Sequence, residues 1–420
     1  MTRENSDLKY LLWSGLATLR CEGTNATLNC NVYQQSTGKG DLIIESEDVS
    51  GSLPPFIPAK DLQLDVPGVR EPLDVIVTQN TWNSEGLNSL TLRPLRVPCW
   101  FSRSKALRSG RFAIVNFAPY WIGNPQNLNF ELKALGWKAQ FIAVTDKSLE
   151  VPQFKNDDDF RVTHQVEFSQ EDGSPFTELE AQDFLWKLSL FLSFCRGHWV
   201  TYSLMVGLDE NGEMALEQWG TGRVSTWREP SGWLDEYSGN CIGQLYDKFS
   251  TKLQQETWLD VIKSVVYWFT RADTNNVGPD GACILLQAAL ERLAWHIIVR
   301  ERNAISAKGF QDLTAADQLR LMLNMLLIPT TIPNGLAKLQ ALGRSRTLDG
   351  PGVFTYIRNR LTHPPKVSTS NEQLPYYEAY CLAQWYVELV VLASCGYTGK
   401  YGNRTMMRRW VGQVEMVPWA

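Results

Sequence analysis

A chain of 420 residues is too long for one ordinary hydrophobic core, so two or three domains are expected. Apolar residues make up 44% and charged residues 20%, a normal soluble globular balance. The formal net charge of −5 excludes a protein that is basic throughout, and leaves any nucleic-acid site to a local basic patch.

The opening Met1 to Leu19 has charge but only a short, interrupted apolar run, a poor signal peptide. Later apolar stretches such as residues 383–395 read as too short or too interrupted to span a bilayer. A cytoplasmic protein without membrane contact is expected. The eight cysteines lack Cys-x-x-Cys spacing and are expected as reduced thiols, several in the core, although Cys21 and Cys30 could approach across a hairpin. Four well-separated histidines offer no zinc set, and no metal or cofactor is expected.

Residues 1 to about 175 read as short strands. Candidates are Asp41 to Glu47, Leu73 to Gln79, Ser89 to Arg93 after a turn-like Asn80 to Asn88, Arg111 to Phe117, Ala139 to Thr145 and Phe160 to Phe168. β-Branched and aromatic residues dominate them, and Gly, Pro, Asn and Asp clusters separate them. That spacing predicts an antiparallel sandwich or barrel-like domain. One helix interrupts it, from the capping-box pattern Thr177-Glu-Leu-Glu to Arg196-Gly197. Two strands follow, Val200 to Gly207 and Glu213 to Trp219, joined by the turn Asp209-Glu-Asn-Gly.

From about residue 240 the apolar period becomes helical. Leu245, Phe249 and Leu253 mark one helix, and Trp258 to Phe269 a second. Cys283 to Val299 is apolar on most sides and therefore central. Asp317 to Leu327, Gly335 to Leu342, Gly352 to Thr362 and Tyr376 to Cys395 follow, the last with Gly396 as its cap. The chain is thus α+β: a β-rich recognition domain over residues 1–228 with one inserted helix, then an all-helical bundle over 240–420.

The stretch with chemistry is Arg358-Asn359-Arg360-Leu361-Thr362-His363-Pro364. Asp349-Gly350-Pro351 starts its helix, and Val353, Phe354, Ile357 and Leu361 form the apolar stripe. Arg358 and His363 lie off that stripe, and Asn359 and His363 share a face. Pro364 leaves His363 at a helix end. An arginine fork suits a phosphate, and a histidine near neutrality serves as acid or base. Together they would support attack of an RNA 2′-hydroxyl on the adjacent phosphate, chemistry that DNA lacks. Arg344, Arg346, Arg360 and Lys366 flank the stretch as candidate RNA contacts. A basic, aromatic tail contributes Lys400, Tyr401, Arg404, Arg408, Arg409 and Trp410, either as a strand-tracking surface or as a solvated face.

Arg358-Asn359-x-x-x-His363 in a helical bundle resembles the signature of the HEPN superfamily. Leu286 to Trp295 is similar to a central helix of such domains, and the resemblance covers roughly residues 255–398. A β-rich front ending in the Gly207 to Gly212 hairpin, followed by such a bundle, resembles ApeA-like phage-defence proteins. The resemblance implies a metal-independent endoribonuclease in bacterial anti-phage defence, with a composite site at a homodimer interface. Arg358 would bind and polarise the phosphate, His363 would be the acid or base, and Asn359 the polar position. RNA, tRNA included, would be the substrate, and a phage-derived trigger would act on the front domain. Pro365 stands where some toxin members carry a Tyr, which argues against a toxin controlled through that residue. A non-catalytic module that binds RNA or protein and dimerises is the alternative. The plainest reading is a helix-capping His363 with Arg358 in a surface ion pair.

The remaining candidates read as structural. His296 is expected in the core, His198 at a helix-end turn and His164 exposed on a strand. Glu291 is placed to pair with Arg358, or with Arg292 or Arg300 at the surface. Asn156-Asp-Asp-Asp lacks calcium-loop spacing and reads as a solvated loop.

Overall fold

Between Ala17 and Cys21, and again between Ala26 and Val32, every second side chain is buried: Ala17, Leu19 and Cys21, then Ala26, Leu28, Cys30 and Val32. A period of two puts one face of each strand into a core. In the computed structural model these are β1 (Lys9–Cys21) and β2 (Thr24–Gln35). The structure describes residues 9–21, 24–35, 41–51, 62–83, 86–96, 99–103, 105–118, 120, 128–144, 162–227, 232–273, 277–363, 373–406 and 409–420. Pro364, Pro365, Lys366, Arg408 and the Asn156 to Asp159 run lie outside the described residues.

The chain forms two units. The first comprises Met1–Phe117, Gly136–Trp186 and Val200–Arg228, and the second Ala118–Leu135, Lys187–Trp199 and Glu229–Ala420.

In the first unit, β1 and β2 join β3 (Leu42–Gly51), β4 (Leu62–Asp65), β5 (Leu73–Asn83) and β6 (Gly86–Pro94). They close into an antiparallel barrel in the order β1-β2-β3-β6-β5-β4, with β4 pairing back onto β1. Closure leaves no free edge. Inward Leu19, Leu28, Val32, Ile44, Leu64, Val75 and Leu92 fill it. The turn expected over Asn80 to Asn88 is narrower, since β5 runs to Asn83 and β6 starts at Gly86. Cys21 and Cys30 do not meet. Cys30 faces Gly15 and Cys21 faces Thr24, six residues apart along β1 or about 20 Å. All eight cysteines are buried, and none is in a disulfide.

The second sheet of this unit uses β7 (Cys99–Ser102), β8 (Ser109–Val115), β10 (Trp137–Ala143), β11 (Val162–Gln170), β12 (Thr201–Leu208) and β13 (Met214–Trp219), in the order β7-β13-β12-β8-β11-β10. β9 (Phe130–Ala134) belongs to the second unit. His164 corrects an expectation: it is fully buried, not exposed. β11 lies between β8 and β10, and His164 shares its inward face with Val166 and Phe168, beside Phe117 and Phe141. Burial pushes its imidazole down to about 3. The helix α1 (Glu178–Arg196) starts on the expected capping box: Thr177 N–H donates to Glu180 Oε2 at 2.7 Å, and Glu180 N–H to Thr177 Oγ1 at 3.3 Å.

The second unit is mainly helical; besides β9 it holds a two-stranded sheet of Lys400–Tyr401 and Glu415–Met416, so residues 240–420 are not all-helical as expected. Its helices are α2 (Asn240–Leu253), α3 (Glu256–Ala272), α4 (Pro279–Trp295), α5 (Ala307–Asp312), α6 (Ala315–Met325), α7 (Ala337–Arg346), α8 (Gly350–Thr362) and α9 (Tyr376–Ser394). A π-helical turn, His296–Glu301, continues α4. As expected, α4 is central, packing on α3, α6, α8 and α9. With its π turn, Pro279–Glu301 is long and apolar enough by composition to cross a membrane, contrary to the expectation that no stretch is; 67% of its apolar window is buried inside the protein, as in any core helix. His296 lies edge-on to Trp258 at 4.4 Å between ring centres, in the core as expected.

Candidate functional site

The site begins with the clamp that starts α8. Asp349 caps the helix, accepting from Gly352 N–H at 2.9 Å, and Pro351 occupies the first turn. Arg320 of α6 grips the same carboxylate in a fork, Nε to Oδ2 at 2.7 Å and Nη2 to Oδ1 at 2.9 Å. Burial alone would raise the Asp349 carboxyl. Arg320 and the Gly352 N–H outweigh it and hold the group below its usual range. Val353, Phe354 and Ile357 are fully buried and fix the helix's rotation.

That rotation decides what the far end presents. Arg358 is half-buried, and Asn359 and His363 are exposed. The His363 N–H donates to Asn359 O at 2.8 Å, the last helical bond, and His363 then leaves helical geometry at φ −130°. The Arg358 guanidinium is held from two sides. Its Nη1 donates to Asn359 Oδ1 at 3.1 Å, and its Nη2 lies 3.9 Å from Glu291 Oε1 of α4. Arg358 Nε has no partner among the described residues. Of the partners open to Glu291, Arg358 is thus the one it faces, while Arg292 pairs with Asp260.

Two residues of this region were not singled out in the sequence. Gln287, fully buried one turn before Glu291, donates Nε2 to Glu291 Oε1 at 2.7 Å and so steadies the carboxylate that faces Arg358. Its spacing of four from Glu291 was the available signal. Tyr356 carries the guanidinium of Arg346 over its ring, 4.3 Å from the centroid. Arg344 and Arg346 form the last turn of α7, Arg360 is half-buried on α8, and Lys366 is outside the described residues.

The tail is not the basic track that its composition offers. Tyr401 is buried, donating to Glu415 Oε1 at 2.6 Å and accepting from Trp385 Nε1 at 3.2 Å. Arg404 is buried against the fully buried Glu388 of α9, Nη2 to Oε1 at 2.8 Å and Nε at 3.2 Å. Trp233 N–H donates to the same oxygen at 3.2 Å. Arg409 donates to Gly232 O. Lys400 and Trp410 are exposed. His198 pairs with Asp273, Nδ1 to Oδ2 at 3.2 Å, and Tyr380 donates to the other Asp273 oxygen.

Residues 255–416 match the YopA C-terminal domain, and residues 102–230 the YopA central domain. The first match contains every described residue of the candidate site. The chain is 27% identical over 268 residues to the SPbeta prophage-derived uncharacterized protein YopA of Bacillus subtilis (strain 168). That alignment takes in 64% of this chain and 60% of the relative's length. No solved structure matches the chain.

Proposed function

We propose that the protein is a metal-independent endoribonuclease of the HEPN type, acting as a homodimer whose Arg358 and His363 residues combine across the interface. One observation carries the reading: an arginine fork steadied by Asn359 and Glu291 stands at a helix end with an exposed histidine five residues on. In the reaction, His363 takes the proton of a ribose 2′-hydroxyl. The 2′-oxygen bonds to phosphorus, the bond to the 5′-oxygen breaks, and that oxygen leaves with a proton returned by a histidine. The products are a 2′,3′-cyclic phosphate and a 5′-hydroxyl. Arg358 neutralises charge growing on the phosphoryl oxygens. Action in bacterial anti-phage defence, with the β-rich unit receiving the trigger, belongs to the same proposal.

The test is cleavage of labelled tRNA and single-stranded RNA in EDTA, with and without lysate from phage-infected cells. Wild type should cut, and His363→Ala and Arg358→Ala should each lose about 10²-fold or more with unchanged circular dichroism. Equal cutting by all three would refute the assignment. No cutting under any condition would favour a non-catalytic binding module.

A further inference from the structure

The first unit holds a surface pocket of about 230 Å³. Its walls come from the turn after β4, the starts of β5 and β7, the chain leaving β6 and the first turns of α1, and its chemistry from Arg70, Glu71, Asp74, Arg96, Trp100 and Gln182. Backbone bonds hold these pieces together. Arg70 N–H donates to Trp100 O at 3.2 Å, Ser102 N–H to Gly68 O at 3.3 Å, and Leu95 N–H to Asp74 O at 2.7 Å. Gly68 sits at φ +88°, and a Cβ there would fall 2.0 Å from the Phe101 ring, so the turn that delivers Arg70 needs glycine.

Each arginine is steered by a carboxylate and keeps donors to spare. Arg70 Nη1 donates to Glu178 Oε1 at 3.4 Å, and Gln182 Nε2 donates to the same oxygen at 2.9 Å, so one carboxylate on α1 orients both. Arg96 Nε lies 3.9 Å from Asp74 Oδ2, beyond hydrogen-bond reach, and its side chain is 90% exposed. Among the described residues neither guanidinium has a further partner, and the half-buried Trp100 side chain has none.

Size and chemistry select the ligand. An apolar cavity of roughly 150 Å³ admits benzene, so a pocket of about 230 Å³ takes one purine ring system with part of its sugar. An indole face stacks any base. Gln182, with Nε2 engaged by Glu178, keeps Oε1 to accept from an exocyclic amino group. Carboxylates such as Glu71 and Asp74 accept from ribose hydroxyls, and arginine forks take a phosphate.

We propose that this pocket binds a purine nucleoside 5′-monophosphate, with the base on Trp100 and the phosphate between Arg70 and Arg96. None of its residues belongs to the Arg358–His363 site, so this binding and the ribonuclease activity stand or fall separately.

The experiment is isothermal titration calorimetry of the full chain with adenosine and guanosine 5′-monophosphates, and with adenosine, inorganic phosphate and uridine 5′-monophosphate as separate arms. At least one purine monophosphate should bind, and the three other ligands should each bind at least about fivefold more weakly, because each lacks the phosphate, the base or the second ring. Trp100→Leu should weaken purine monophosphate binding at least about fivefold, and Arg96→Gln at least about tenfold. Arg96 is exposed and makes no side-chain hydrogen bond, so that variant keeps the test valid should Trp100→Leu fail to fold; thermal melts check both. No heat from either purine nucleotide up to about 1 mM overturns the proposal. So does a folded variant that binds like wild type, or inorganic phosphate binding as tightly as the nucleotide.

Discussion

The Arg404–Glu388 pair offers the most direct energetic test of the helical unit. Glu388 is fully buried on α9, and the Arg404 side chain is 6% exposed. Burial pushes the Glu388 carboxyl up, with Arg404 pulling against it. Burial also works against the Arg404 charge, but Glu388 and Asp273 outweigh it and push the guanidinium up, so it stays charged. Arg404→Met leaves the carboxyl with the Trp233 N–H as its one hydrogen-bond donor among the described residues and Arg409 as a weaker, more distant charge. Glu388→Leu removes the hydrogen-bonded partner of the guanidinium, leaving it the attraction of Asp273, and removes the acceptor of that N–H. Breaking a buried pair from one side costs about 3–5 kcal/mol. In a unit of this size each kcal/mol moves the melting temperature by about 2–4 °C, so each single variant should melt roughly 6–20 °C lower. The double variant replaces both charges by apolar groups and should recover most of that loss, since such a swap is often neutral. Differential scanning calorimetry of the four proteins measures it. Single variants melting within about 2 °C of wild type, or a double variant losing the sum of the singles, would refute the reasoning.

Glu291→Gln should lower kcat of the proposed cleavage about tenfold or more with KM little changed, because it loosens the Arg358 fork without removing it; equal kcat would show that Glu291 does not position Arg358. Asp349→Ala removes the cap of α8 and the carboxylate gripped by Arg320, and should cost about 1–2 kcal/mol in urea unfolding at neutral pH. Since the Asp349 carboxyl is held below its unfolded value, its contribution is present above that value and is lost as pH falls through the folded one; wild type and variant should converge in acid. His164 has a folded value of about 3. It lies below the unfolded value of about 6.5, so the stability it allows is complete above that pH and falls by about 1.4 kcal/mol per pH unit below it. His164→Leu should flatten that slope in urea midpoints followed from pH 7 to about 4, and identical slopes would contradict a buried neutral histidine.

Much of the architecture was legible because side-chain period is a local property. The change near residue 228 from period two to period 3.6 separated strands from helices, and the apolar circumference of α4 marked it as central. The capping box at Thr177 and the Asp349-Gly-Pro helix start were visible as residue patterns. Strands β1 and β2 were not, because the outward faces of β1 carry Leu11 and Leu16, which are exposed and blur the alternation. The position of His164 was in the sequence too: it keeps step with Val166 and Phe168, and parity along the strand was the better guide than polarity. In the candidate site, Arg358, Asn359 and His363 could be read because all three lie on one helix end. Tyr356 could not, because its partner Arg346 lies on another helix across a turn, whereas Gln287 was signalled only by its spacing of four from Glu291 on α4.

The sequence by itself determined element type, helix ends and the local grouping of Arg358 with His363, all set by neighbours within a few residues. Only the tertiary structure decided that six strands close on themselves, since closure depends on β4 pairing with β1 across more than forty residues. It also turned the basic tail inward. Arg404 and Glu388 are both charged residues that composition assigns to the surface, and only their meeting in three dimensions makes burial tolerable for either.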